Sequence, residues 1–111
     1  MNEKEYKQFI RDIDKLVDLI TEDVNLVFTS IYGVPENGSL IAQILSTRFN
    51  TDLVKKEHIV SKTLIVDKYN RCMYLWDIFK KRRMKPKLAV LYYDMNSIQV
   101  PYLYVHKLKK T

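Results

Sequence analysis

The sequence predicts an α/β domain built on a mainly parallel sheet flanked by helices. Three observations carry that expectation. Short apolar runs rich in β-branched residues recur along the chain, bounded by polar or Gly- and Pro-punctuated turns. Segments of helical period alternate with those runs, the pattern of strand–helix–strand units in a parallel sheet. At 111 residues with 47% apolar composition, the chain is one globular domain, 1–111, large enough for a real core.

The elements follow in order. Asn2 to Ile20 reads as an amphipathic helix: Tyr6, Phe9, Ile10, Ile13, Leu16, Val17 and Ile20 recur at three- and four-residue steps, and Asn2 with Glu5 forms a capping pair. Asn25 to Thr29 reads as the first buried strand, followed by the turn Gly33 to Gly38. A second helix is expected from Ser39, as cap, to Phe49, with Ile41, Ile44, Leu45 and Phe49 inward and Asn50 as the stop. Asp52 to Val54 reads as a short second strand. Thr63 to Val66 is an apolar run that reads as a strand buried on both faces, with Asp67 at its carboxyl end. The third helix is expected over Cys72 to Met84, burying Leu75, Trp76 and Phe79 or a neighbouring stripe, and ended by Lys85 and Pro86. Leu88 to Tyr93 and Tyr102 to Val105 supply the remaining strands.

The informative stretch is Lys62 to Lys81, KTLIVDKYNRCMYLWDIFKK, a strand ending in an acid, a polar turn and a helix. In open α/β sheets ligands bind beyond the carboxyl ends of strands, where loop and helix N-terminus present free backbone N–H groups. The loop Lys68 to Cys72 is therefore the first place to look for function. This stretch resembles the signature of the type I phosphoribosyltransferase family, in which a strand runs into two acids, an Asp-Thr-Gly-x-Thr turn and a helix. Ile31 to Ser46, IYGVPENGSLIAQILS, resembles that family's pyrophosphate loop and following helix, and Leu88 to Tyr104 resembles its later strand and Pro-aromatic segment. The three blocks keep the family's order and spacing and cover most of the chain after Asp23. The resemblance implies a phosphoribosyltransferase-like core.

Position by position, the matching residues thin out at the chemistry. Asp67 corresponds to the first of the two acids that hold the ribose hydroxyls of phosphoribosyl pyrophosphate, and Lys68 replaces the second. The phosphate turn falls on Arg71, Cys72, Met73, Tyr74 and Leu75, none of which matches, and Met73 puts a side chain where a glycine would admit phosphate. In the pyrophosphate loop Gly33, Val34, Pro35 and Gly38 match, while Glu36 replaces the usual Arg and Asn37 the first of the paired glycines. A carboxylate beside a polyphosphate is repulsive by several kcal/mol in a partly desolvated site. Only Lys55 to Lys62 separates the second and third strands, so the family's longer catalytic hairpin and its hood are expected to be absent. The resemblance therefore implies a degenerate domain, inactive as a transferase, acting as a binding or regulatory module. An active enzyme would instead use phosphoribosyl pyrophosphate, a nucleobase and Mg²⁺; no other cofactor is expected.

Charge is the second feature. The net charge is +6, with cations concentrated in Lys80, Lys81, Arg82, Arg83, Lys85 and Lys87 and in the tail residues Lys107, Lys109 and Lys110. Two readings stand: a solvated helix end complementing the macrodipole, or a nucleic-acid surface acting through counterion release. Tyr92, Tyr93, Tyr102 and Tyr104 would stack on bases in the second reading and serve as core or interface in the first. Cys72, near Lys68 and Arg71, is a single cysteine without an identifiable base, which reads as an inert thiol and excludes a disulfide framework. Asp67, Lys68 and Arg71 with the helix N-terminus offer a narrower alternative, a site for a different phosphate. His58 and His106 lack metal-ligand spacing, and no metal site is expected. No apolar run approaches the roughly 18 residues of a membrane span, and the first residues are too charged for a secretory signal. A reducing cytoplasm is the expected setting. The resemblance implies a homodimer, and the small, basic, eroded chain would suit a phage protein engaging a host protein.

Overall fold

The computed structural model describes residues 1–24, 26–69, 74–84, 87–92 and 102–104; at Asn37, Tyr69, Tyr74, Trp76, 90–92 and 102–104 it describes the backbone alone. Helix α1 (Glu3–Glu22) opens on a capping box. The Asn2 Oδ1 accepts from the Glu5 N–H at 2.8 Å and the Asn2 N–H donates to Glu5 Oε1 at 3.3 Å. Two otherwise orphaned donors are thereby satisfied. Its apolar stripe buries Phe9, Ile13, Leu16 and Ile20, as the spacing predicts, and the helix runs two residues past the expected end.

The first strand is displaced from its expected position. Residues 26–29 are not a strand; β1 (Ser30–Gly33) begins where the expected strand stops, and Asn25 lies outside the described residues. Ladder partners explain the difference, because Ser30 is the first residue to find both neighbours, Asp52 on one side and Thr63 on the other. Upstream, one bond from the Thr29 N–H to the Lys62 carbonyl (2.8 Å) joins the segment to the sheet. Its apolar residues pack all the same: Phe28 meets Phe49 edge to face, with ring centroids 5.6 Å apart.

Helix α2 (Asn37–Phe49) starts two residues before the expected cap, so Ser39 is inside it, and Glu36 occupies the N-cap without a side-chain bond. The early start follows from the Gly38 N–H donating to the Val34 carbonyl at 2.8 Å, which closes the first turn ahead of Ser39. Asn50 ends the helix in the left-handed region (φ 50), and the Thr51 N–H reaches back to the Ser46 carbonyl at 3.0 Å, a Schellman closure. Strand β2 (Asp52–Leu53) is a two-residue edge. The crossover to β3 holds one 3₁₀ turn, Lys56–His58, and buries Ile59. Strand β3 (Thr63–Tyr69) continues two residues beyond Asp67, so Asp67 lies within the strand and not at its end.

Helix α3 (Tyr74–Arg82) buries Leu75 and Phe79 as expected; Cys72 and Met73 lie outside the described residues. It ends before Lys85 and Pro86 are reached, because Arg83 turns left-handed (φ 54). The Met84 N–H then donates to the Phe79 carbonyl at 2.9 Å and the Arg83 N–H to that of Lys80 at 3.2 Å. Met84 and Phe79 share one apolar cluster, completing a second Schellman motif. Strands β4 (Lys87–Tyr92) and β5 (Tyr102–Tyr104) close the sheet; Tyr93 and Val105 are outside the described residues.

The five strands run in the order β2-β1-β3-β4-β5, the first four parallel and β5 antiparallel to β4. From β1 the chain steps outward to β2, and from β3 outward the other way to β4. Right-handed crossovers in opposite directions place their helices on opposite faces. One apolar cluster accordingly joins α1 and α2 to Ile31, Leu64, Val66 and Ala89, and another joins α3 and the crossover to Tyr32, Ile65 and Leu88. Burial on both faces makes 64–66 a continuous apolar run. Each fully buried Leu or Ile contributes roughly 2 kcal/mol. Among the described residues no helix is long and apolar enough to cross a membrane.

Candidate functional site

The strand order reverses between β1 and β3, and a ligand crevice in such sheets lies beyond the carboxyl ends of those two strands. The two stretches singled out in sequence meet there. Gly33 pairs with Val66, and the Val34 N–H extends the ladder to the Val66 carbonyl at 2.9 Å. Beyond Val34 the chain turns through exposed Pro35 and Glu36, joined by a cis peptide, into α2.

Close approach of α2 to the sheet explains both glycines. A Cβ on Gly38 would lie 2.4 Å from the Val66 carbonyl oxygen and 3.1 Å from the Asp67 Cα. A Cβ on Gly33 would lie 2.7 Å from the Ala42 Cβ and 2.7 Å from the Gly38 carbonyl oxygen. Neither glycine has positive φ, so space and not backbone conformation demands them. The Gly33 to Gly38 segment and Asp67 are thus one contiguous structure.

Asp67 shares the α3 face with Ile65 and is 3% exposed. Its Oδ1 accepts from the Lys68 N–H at 2.8 Å, which holds the carboxylate against its own strand. Lys68 is half-buried. Arg71 and Cys72, the other residues expected in this loop, lie outside the described residues, as does Lys85 of the basic cluster. Glu36 is exposed at the amino end of α2, where its charge complements the helix dipole. The head of α2, a helix end that would otherwise attract an anion, therefore carries a carboxylate of its own.

Lys80, Lys81, Arg82 and Arg83 are exposed, and Lys87 is half-buried at the start of β4. Because α3 runs back against the parallel strands, these cations gather at the amino edge of the sheet, away from the crevice. His58 is exposed in the 3₁₀ turn, His106 is outside the described residues, and among the described residues no three His, Cys, Asp or Glu side chains come together.

Two polar features went unnoticed in sequence. Ser30 Oγ and Thr63 Oγ1 lie 2.8 Å apart, buried between β1 and β3, and Thr63 Oγ1 accepts from the Val60 N–H at 2.9 Å. Asp12 is buried on the inner face of α1, where Gln8 Nε2 donates to its Oδ1 at 2.9 Å. The pairing of Ser30 with Thr63 is a fact of tertiary register that sequence did not show, whereas Asp12 was marked by its place three residues after Phe9 and four before Leu16 on the apolar stripe of α1. No model of a known family, no curated protein and no solved structure matches this chain.

Proposed function

We propose that the chain is a phosphoribosyltransferase-like domain that no longer transfers phosphoribosyl groups and serves as a binding or regulatory module for a partner protein. The observation that carries this reading is the state of Asp67. In the family that the sequence resembles, this acid holds the ribose hydroxyls; here it is 3% exposed, and its Oδ1 is taken by the Lys68 N–H. A carboxylate so placed must lose its packing and that bond before it meets a diol. Glu36 supports the same reading, since a charge at the head of α2 opposes the approach of a polyphosphate to the backbone N–H groups there. What survives is the scaffold: the glycine-dependent contact of α2 with β3 at the point where the strand order reverses, which supplies a position without its chemistry.

The test is turnover. The protein is incubated with phosphoribosyl pyrophosphate, Mg²⁺ and purine or pyrimidine bases, and pyrophosphate release is followed. The reading predicts release at the rate of the protein-free control with every base. Base-dependent release that disappears in Asp67→Ala would establish the alternative, a minimal active transferase.

A further inference from the structure

Formal charge divides sharply along the chain and across the fold. Residues 1–54 hold nine carboxylates against five Lys and Arg, whereas residues 55–111 hold fourteen Lys and Arg against four carboxylates. The first part supplies α1 and α2 on one face of the sheet, and the second supplies the crossover and α3 on the other. Within the second part six of the nine described cations converge. Lys80, Lys81, Arg82 and Arg83 crowd the end of α3, and the Schellman closure at Arg83 brings the chain directly to Lys87 at the start of β4. Leu64 pairs with Lys87, so exposed Lys62, two residues earlier on the neighbouring strand, joins the same edge. Exposed Lys55 and Lys56 line the crossover that shares α3's apolar cluster, with Glu57 and Asp77 exposed and Asp67 buried as carboxylates in that layer. Among the described residues none of Lys62, Lys80, Lys81, Arg82 and Arg83 pairs with a carboxylate, although Asp77 lies one turn before Lys80 and Lys81.

We propose that this amino edge of β3 and β4, with the end of α3, is a docking surface for the phosphate backbone of duplex DNA. Unpaired, hydrated cations at one edge gain by releasing the counterions condensed on a dense, regular line of phosphates, and no pocket is required. The described chemistry of this edge favours duplex DNA over a membrane or a protein partner. The described apolar residues of α3, Leu75, Ile78 and Phe79, pack into the core beneath it, whereas an anionic membrane takes up a helix through an outward apolar face. Protein interfaces centre on desolvated aromatic anchors and are depleted in lysine, the opposite of this edge. The surface lies at the other end of the sheet from the crevice, so occupation of one leaves the other open.

The experiment is fluorescence anisotropy of short labelled duplex DNA across a salt series, with single-stranded RNA and anionic vesicles in parallel. Four phosphate contacts would make affinity fall roughly 150-fold between about 50 and about 200 mM salt. The triple variant K80Q/K81Q/R82Q changes exposed helix positions to a good helix former and keeps the fold. It should weaken binding more than tenfold and lower the log–log salt slope by about 2.7. K4Q/K7Q/R11Q removes the same charge from α1 and should leave binding within about threefold of wild type. Absence of DNA binding at low salt, equal weakening by both triple variants, or preference for single-stranded RNA or vesicles would overturn the proposal.

Discussion

Gly38→Ala sets two physical effects of opposite sign against each other. Gly38 lies in the first turn of α2 with ordinary φ, so alanine there would by helix propensity alone stabilise the protein by about 1 kcal/mol. The added Cβ, however, would sit 2.4 Å from the Val66 carbonyl oxygen, and the obstacle is backbone in the central strand, not a side chain that can rotate away. Restoring an ordinary contact requires the head of α2 to withdraw from β3 by about 1 Å, and overpacking of that kind costs up to about 3 kcal/mol. The net expectation is a loss of about 2 kcal/mol, read as a lower urea midpoint with unchanged slope and a melting temperature roughly 8 °C lower. Gly33→Ala meets Ala42 and the Gly38 carbonyl at 2.7 Å and gains nothing from helix propensity, so its loss should be at least as large. A Gly38→Ala protein more stable than wild type would refute the close packing of α2 on β3, and with it the geometry of the crevice.

Thr63→Val keeps the shape of the buried side chain but strands the Ser30 hydroxyl and the Val60 N–H, and should cost about 1–3 kcal/mol in chemical denaturation. Arg83→Gly removes a side chain from a left-handed residue that ends α3, and should raise stability by about 1 kcal/mol; a destabilised variant would show that the Arg83 side chain has a structural partner. Asn2→Ala removes the side-chain acceptor for the Glu5 N–H while leaving the Asn2 N–H free to donate to Glu5, and should cost about 1 kcal/mol, measured as a lower melting temperature with loss of helical ellipticity confined to the first turn of α1.

The α/β class was legible because strands buried on both faces leave continuous apolar runs, as at Leu64 to Val66, and because α1 and α2 carry helical stripes with a cap or stop at one end. The shift of β1 from Asn25–Thr29 to Ser30–Gly33 was not legible. Leu26, Val27 and Phe28 have strand-like composition, but pairing is decided by where Asp52 and Thr63 stand, a fact of tertiary register. The ends of α2 and α3 show the same contrast: Asn50 is a recognisable left-handed stop, whereas Arg83 takes that conformation without any marker in its residue type.

At the crevice, sequence order brought out Gly33 to Gly38 and Asp67 as separate stretches, and their contact emerged from the parallel pairing of β1 with β3. Burial of the Asp67 carboxylate could not be read from residue types, since a matching acid looks the same whether it faces a ligand or its own backbone. The basic cluster was visible as a run, but its union with Lys62 at one edge depends on the register of β3 against β4.

The most direct test of the central claim is calorimetric titration of phosphoribosyl pyrophosphate with Mg²⁺ into the protein, repeated with Asp67→Ala. Because Asp67 is bound to its own strand and Glu36 guards the head of α2, no saturable heat is expected from either protein. Micromolar binding by wild type that is lost in Asp67→Ala would contradict the account and show that the carboxylate leaves its backbone partner to hold the sugar.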